Sequence, residues 1–296
     1  MDFSIFKIKL TTKKGEKLSK IDLHIHTVYS DGTYTPREVV YKAKKLGLIA
    51  ISITDHDSVD GLDEALKVGR ECGVEVVPGI EMSTDVGEDE IHILGYYLDW
   101  KKEELLSQLK IFQQARIQRN EKLFKRLNDL GMRINHRETA RLAPRGVVSR
   151  LHIARLMVMK GYVSSIGEAF EDWLNPGKPA YVKKMEVSPF KVIQLLLEAE
   201  GIPVLAHPYL SKRDDLIPEL IKAGLKGLEV YHSSHNVATT QHYLKLAKFY
   251  NLVITGGSDC HGKAKDKVLM GTVNVPKQVL DNLKKAHRKL VKSVSI

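Results

Sequence analysis

Between residues 21 and 261 the chain repeats one device, a short apolar run that ends in a histidine or a carboxylate. Leu48-Ile49-Ala50-Ile51-Ser52-Ile53 runs into Thr54-Asp55-His56-Asp57, and Pro203-Val204-Leu205-Ala206 runs into His207-Pro208. Gly227-Leu228-Glu229-Val230-Tyr231 ends at His232, and Leu252-Val253-Ile254-Thr255 leads through Gly256-Gly257-Ser258 to Asp259-Cys260-His261. A near-continuous apolar run of this length fits a strand covered on both faces. Helices are expected between the runs, near 35–46, 60–71, 188–199, 214–223 and 237–250. Thr35 and Pro36 open the first of these as N-cap and N1, and Gly47 stops it. Strands alternating with helices argue for an α/β fold with a parallel sheet, and this many units for a closed or nearly closed barrel. Such barrels build active sites at the C-terminal ends of their strands, where these polar residues fall.

Asp22-Leu23-His24-Ile25-His26 carries the same signal in another form. Ile21, Leu23 and Ile25 occupy one phase of a strand and Asp22, His24 and His26 the other, so the two imidazoles project side by side, close enough to share one cation. Glu81 follows the expected strand 74–77 within Gly79-Ile80-Glu81, and His92 lies in the expected strand 91–95.

Residues 101–180 break the alternation. A long amphipathic helix near 102–130, shorter helices near 149–160 and 165–172, and Asn175-Pro176-Gly177-Lys178-Pro179 read as a helical insertion over the barrel mouth. Charge is divided the same way. Of the net +10, the insertion carries an excess of eight cations, while the strand-bearing remainder, without the two basic termini, is acidic. Acidic clustering suits a cation-binding core, and basic flanks suit an anionic substrate. Residues 1–20 read as a short basic strand pair turning near Lys13-Lys14-Gly15. No apolar run is long enough to cross a bilayer, the N-terminus does not read as a signal peptide, and Cys72 and Cys260 form no CxxC. A cytoplasmic enzyme with no membrane contact and no obligate protein partner is expected.

His24-Ile25-His26, Thr54-Asp55-His56-Asp57, Gly79-Ile80-Glu81, His92, Ala206-His207-Pro208 and Gly257-Ser258-Asp259-Cys260-His261 together resemble the polymerase and histidinol phosphatase (PHP) superfamily. The resemblance spans about 21–100 and 181–276 and implies a distorted (β/α)7 barrel with a helical insertion, carrying two to three divalent metal ions (Mn, Fe or Zn). Ser149-Arg150-Leu151-His152 and Gly177-Lys178-Pro179-Ala180-Tyr181-Val182 resemble the insertion of the TrpH-like phosphoesterases, which act on 3′,5′-bisphosphonucleotides or on the 5′ end of short oligonucleotides. By that resemblance His24, His26, Glu81 and Asp259 would hold a first metal, Glu81 would bridge to a second held by His92 and His207, and Asp31, His56 and His261 would hold a third.

The implied activity is hydrolysis of a nucleotide phosphate ester by metal-activated hydroxide. Arg150 would neutralise phosphate charge through its planar donor fork, with His152 and Lys178 also binding substrate. His232 could protonate the leaving group, and Asp22, Asp55 and Asp57 could orient ligand histidines. Several have a plainer alternative. Asp31 could only close a turn, Asp57 could cap the following helix, and Arg150 and His152 could have a solvated or structural role on an amphipathic helix. Two rival functions are a small-molecule phosphatase of the histidinol phosphate kind and a non-catalytic nucleic-acid-binding module.

Overall fold

A computed structural model describes residues 20–265 and 267–294. The basic strand pair expected within 1–20 lies outside the described residues except for Lys20, which opens the first strand. The chain runs β1 (Lys20–Ile25), α1 (Pro36–Leu46), β2 (Leu48–Ile53), α2 (Leu62–Cys72), β3 (Glu75–Val86) and β4 (Asp89–Tyr96). The insertion follows as α3 (Glu103–Asp129), α4 (His136–Leu142), α5 (Arg150–Met159) and α6 (Ile166–Glu168), the last continuing into a π-helical turn at Ala169–Leu174. The barrel then resumes with α7 (Pro189–Glu198), β5 (Ile202–Leu205), α8 (Pro208–Ser211), α9 (Ile217–Lys222), β6 (Gly227–His232), α10 (Val237–Phe249), β7 (Val253–Gly257), β8 (Val275–Pro276) and α11 (Lys277–Val294).

The strands form one eight-stranded sheet ordered β7-β6-β5-β4-β3-β2-β1-β8, and it nearly closes on itself because β1 meets the end of β7. His26 N–H donates to Cys260 O at 3.0 Å across that seam. A Cβ at Gly257 would stand 2.3 Å from His24 N, so only glycine lets the two strands approach this closely. The expected α/β barrel with a helical insertion is what the chain forms.

The expected parallel sheet holds for six strands, and two depart from it. β1, β2 and β3 are parallel, as are β5, β6 and β7, but β4 is antiparallel to both its neighbours and the short β8 is antiparallel to β1. The cause is the tight turn at Gly87-Glu88, with Gly87 at φ +66°, which makes β3 and β4 a hairpin with no room for a crossover helix. The reversal also places the first half of β4, with His92, at the mouth where the parallel strands end.

The opposite end of the barrel is filled by Ile21, Leu23, Ala50, Val77, Leu94, Tyr96 and Val204 and covered by Val279, Leu280 and Leu283 of α11. The insertion has a core of its own, built from Leu123, Phe124 and Leu127 of α3, Ile153 and Met157 of α5, and Ala169 and Leu174. The start of α3 belongs instead to the barrel's helical layer through Leu105 and Leu109. No helix among the described residues is long and apolar enough to cross a membrane.

Candidate metal centre

Glu81, fully buried on β3, lies at the centre of the mouth. Its Oε2 is 3.2 Å from His24 Nε2, His26 Nε2 and His56 Nδ1, and its Oε1 is 2.8 Å from His92 Nδ1 and 2.9 Å from His207 Nε2. Asp259 closes one side, with Oδ1 3.0 Å from His26 Nε2 and 3.6 Å from His24 Nε2. On the other side His261 Nε2 is 3.3 Å and His56 Nε2 4.0 Å from the Asp31 carboxylate. All nine residues expected as ligands therefore meet in one cluster.

The donor set fits divalent cations. Five imidazoles converge on one carboxylate, more than its two oxygens can serve as hydrogen-bond acceptors. Buried His26 Nε2, His56 Nδ1 and Asp31 Oδ1 have no hydrogen-bond partner, a state that a buried polar atom avoids unless an ion completes it. His24, His26, Glu81 and Asp259 present ligand atoms all within 4.8 Å of one another, as do His26, Asp31, His56 and His261, and again His56, Glu81 and His92. Nitrogen with carboxylate oxygen suits Zn²⁺, Mn²⁺ or Fe²⁺.

Electrostatics in the cluster are tightly opposed. Burial alone would raise the carboxyl of Glu81, but His56, His24 and His92 outweigh it and hold the group well below its usual range. Asp259 is likewise held low against burial by Lys265 and His261, and Asp31 by His261 and His56. His26, which burial would lower, is raised to about 9 by Asp259 and Glu81. His56 goes the other way, pushed down to about 3 by burial. Protons on such histidines are what a cation must displace to bind. The backbone is strained at the same place, with His207 at φ +23° and Asp259 at φ +53°, a cost that surrounding structure sustains mainly at functional sites.

Above the cluster a cavity of about 570 Å³ opens between barrel and insertion. Asp31, His56, His92 and His261 form its floor, and Arg116, Arg119, Arg150, Lys184 and Lys265 supply cations to its walls. Arg116 and Arg119 stand three residues apart on α3 and so share a face. Arg119 is only 7% exposed, has a partnerless Nε, and reaches no carboxylate among the described residues, only Asn120 Oδ1 at 3.0 Å. Burial and the neighbouring Arg116 and Arg150 push it down to about 9, still charged at neutral pH. No carboxylate pairs with it directly, and the attraction of Glu90 and Asp57 does not offset burial and the two arginines, so the cavity favours an anion at this point.

The other expected residues divide. Arg150 lines the cavity, with Nη2 donating to both oxygens of Glu90 at 2.6 and 2.7 Å, which leaves its other donors to a ligand. His232 is buried beside the cluster, its Nε2 3.9 Å from Asp259 Oδ2, but it does not line the cavity where a leaving group would depart. Five expectations are corrected. Lys178 is exposed on the Asn175–Lys178 turn and outside the cavity; Lys184, further along the chain, occupies the wall instead. His152 is fully buried and takes the N3 position of the α5 capping box, its Nδ1 accepting from Ser149 N–H at 3.0 Å, so it serves the helix start and does not face the cavity. Asp57 neither caps α2, whose N-cap is Gly61, nor touches a ligand histidine; it accepts from Ser83 N–H at 2.9 Å and pairs with Arg116. Asp22 and Asp55 do not bind ligand rings either. Asp22 pins Ser258 N–H and Gly271 N–H, and Asp55 ties down Thr27 and Ser30.

One carboxylate escaped the sequence reading. Glu229 on β6 is fully buried and accepts from His24 Nδ1 at 3.0 Å and from His207 N–H at 2.8 Å. A register shift between Glu229 and Tyr231 brings both Glu229 and His232, of opposite phase, to the cluster. An acid between Leu228 and Val230 in a buried strand was the available signal.

Barrel, donor set and cation-walled cavity define a metal-binding α/β enzyme of the hydrolase type. The family model described as PHP domain matches residues 22–169. A 5′-3′ exoribonuclease of Haemophilus influenzae is 32% identical over 82% of this chain and 90% of its own length. A 3′,5′-nucleoside bisphosphate phosphatase of Chromobacterium violaceum is 31% identical over 82% of this chain and 88% of its own. A solved structure from Bifidobacterium adolescentis, described as a metal-dependent phosphoesterase, superposes with a TM-score of 0.83 at 31% identity, covering 90% of this chain and 95% of that one. The chain belongs to the PHP domain family.

Proposed function

We propose that this protein is a metal-dependent phosphoesterase whose substrates are nucleotides bearing a second phosphate, either 3′,5′-bisphosphonucleotides or the 5′-phosphorylated end of a short oligonucleotide. The observation that carries this reading is one cavity with a carboxylate–histidine cluster at its floor and, in its wall, a buried Arg119 that no carboxylate pairs directly. His24, His26, Glu81 and Asp259 would hold one cation, Glu81, His92 and His207 a second, and Asp31, His56 and His261 a third. Bound there, the cations supply Lewis acidity, lowering the pKa of water and offsetting charge at phosphorus.

The chain's own residues bind and orient. Arg116, fixed by Asp57, and Arg150, fixed by Glu90, present guanidinium donors to the phosphate oxygens from positions set before substrate arrives. Arg119 receives the phosphate that is not cleaved, and Lys184 and Lys265 add charge at the rim. Leu151, Ile166, Phe170 and Leu210 line the same cavity and offer apolar surface to base and sugar. Histidinol phosphate has one phosphate and a cationic amine, which this wall of arginines does not favour. Free Cys72 and Cys260 suit a reducing, cytoplasmic location.

The test is turnover by purified protein loaded with Mn²⁺, Fe²⁺ or Zn²⁺. Phosphate release from 3′,5′-bisphosphonucleotide, or mononucleotide release from a 5′-phosphorylated oligonucleotide, at rates well above those for histidinol phosphate is expected. Salt-sensitive nucleotide binding with no turnover under any metal would establish the non-catalytic rival instead.

A further inference from the structure

We propose that Glu229 is a positioning residue that sets His24 and His207, ligands of two different cation positions, with one carboxylate. The inference rests on the reading that these histidines hold metal. His24 Nδ1 lies 3.0 Å from Glu229 Oε1 and 3.3 Å from Oε2, so its N–H donates to the carboxylate and the ring is turned with Nε2 toward Glu81 at 3.2 Å and Asp259 at 3.6 Å. That tautomer leaves Nε2 with a free lone pair for a cation and makes the ring a stronger donor. On its other side Glu229 Oε2 accepts the His207 backbone N–H at 2.8 Å. His207 sits at φ +23°, a conformation that a side-chain-bearing residue rarely adopts, and the tether holds that turn so that Nε2 lies 2.9 Å from Glu81 Oε1.

Glu229 is not itself a metal ligand, although His24, Glu229 and His232 offer atoms within 4.8 Å of one another. Both its oxygens are engaged by N–H donors from His24 and His207, and the His24 nitrogen it meets is the one turned away from Glu81. It makes no hydrogen bond to Asp31, His56 or His261. One buried side chain thus couples the first two positions and leaves the third alone.

The test is Glu229→Gln in the full-length protein, which keeps the side chain's size but gives up one acceptor. Mn²⁺ affinity and the metal content left after dialysis are measured beside activity. The expected result is a 10- to 100-fold weaker Kd at the first and second positions with the third retained. kcat should fall at limiting Mn²⁺ and recover at high Mn²⁺, with KM for substrate unchanged. Wild-type affinity and content in this variant, or equal loss at all three positions, overturns the proposal. Should the variant not fold, ¹⁵N-histidine NMR of the zinc-loaded wild type decides: a proton on His24 Nδ1 supports the assignment, and one on Nε2 overturns it. A wild-type chain that binds no cation removes the proposed function, and Glu229's role with it.

Discussion

The floor and the roof of the cavity are built on different principles. The floor, with the cluster beneath it, comes from the barrel, where His24, His26, Glu81, His92, His207 and Asp259 stand on strands or at their ends, with neighbouring strands bonded to each other. The roof comes from α3, α5 and the π-helical turn, whose cations are aimed by single side-chain pairs such as Asp57–Arg116 and Glu90–Arg150. A strand fixes where a side chain points through backbone geometry alone, whereas a long arginine on a helix points where a partner holds it. The floor should accordingly fail all at once, and the roof piece by piece.

Glu81→Ala tests the first half of that contrast most severely. Removing the carboxylate shared by five imidazoles should lower kcat/KM about a thousand-fold, roughly 4 kcal/mol, and strip metal from more than one position, as counted by elemental analysis. Near-normal metal content in this variant would break the comparison.

The metal-free floor should also be sensitive to pH. His26 has a folded pKa raised from 6.5 to about 9, so its contribution to stability is present in full below pH 6.5 and is lost as pH rises to about 9. The loss is on the order of 3 kcal/mol. His56, lowered from 6.5 to about 3, acts in the opposite sense and costs stability as pH falls through that interval. The melting temperature of chelator-treated protein is therefore expected to peak near pH 6.5, and metal to flatten the alkaline side of the curve by taking the proton's place. An alkaline limb unchanged by metal would count against the cluster.

Arg119→Met addresses the roof alone. It should raise KM for bisphosphonucleotide roughly 10- to 100-fold while leaving metal content and the rate on a monophosphate ester unchanged. Equal effects on both substrates would mean that Arg119 does not read the second phosphate. The smallest effect is expected at Lys178, where Lys178→Ala should alter KM by less than about twofold. Lys184→Ala should raise it by roughly tenfold, and the pair of variants sharpens the boundary of the wall.

The difference between floor and roof also explains what could be read in advance. His24 and His26 were visible because strand periodicity forces i and i+2 to one side, and Asp259 and His261 repeat the pattern. Lys178 and His152 were expected to bind substrate from the resemblance of their motifs, but a Gly-Lys-Pro turn says nothing about which way its lysine faces, and a histidine at N3 after Ser149 closes a capping box. Arg119 was legible only as one of many basic residues on an amphipathic helix. Nothing local distinguishes the arginine that lacks a carboxylate from those that have one.

Taken alone, the order of residues decided that this chain makes an α/β barrel with histidines and carboxylates at its strand ends, since alternation along a strand and the stop at its end are local properties; the particular ligand set came from the resemblance to the PHP superfamily. Three things required the folded molecule: the reversal of β4, the tie from Glu229 to His24 and His207, and the isolation of Arg119. Each depends on partners brought together from distant parts of the chain, 205 residues apart for Glu229 and His24, and such a pairing is set by closure of the barrel and not by any neighbour in sequence.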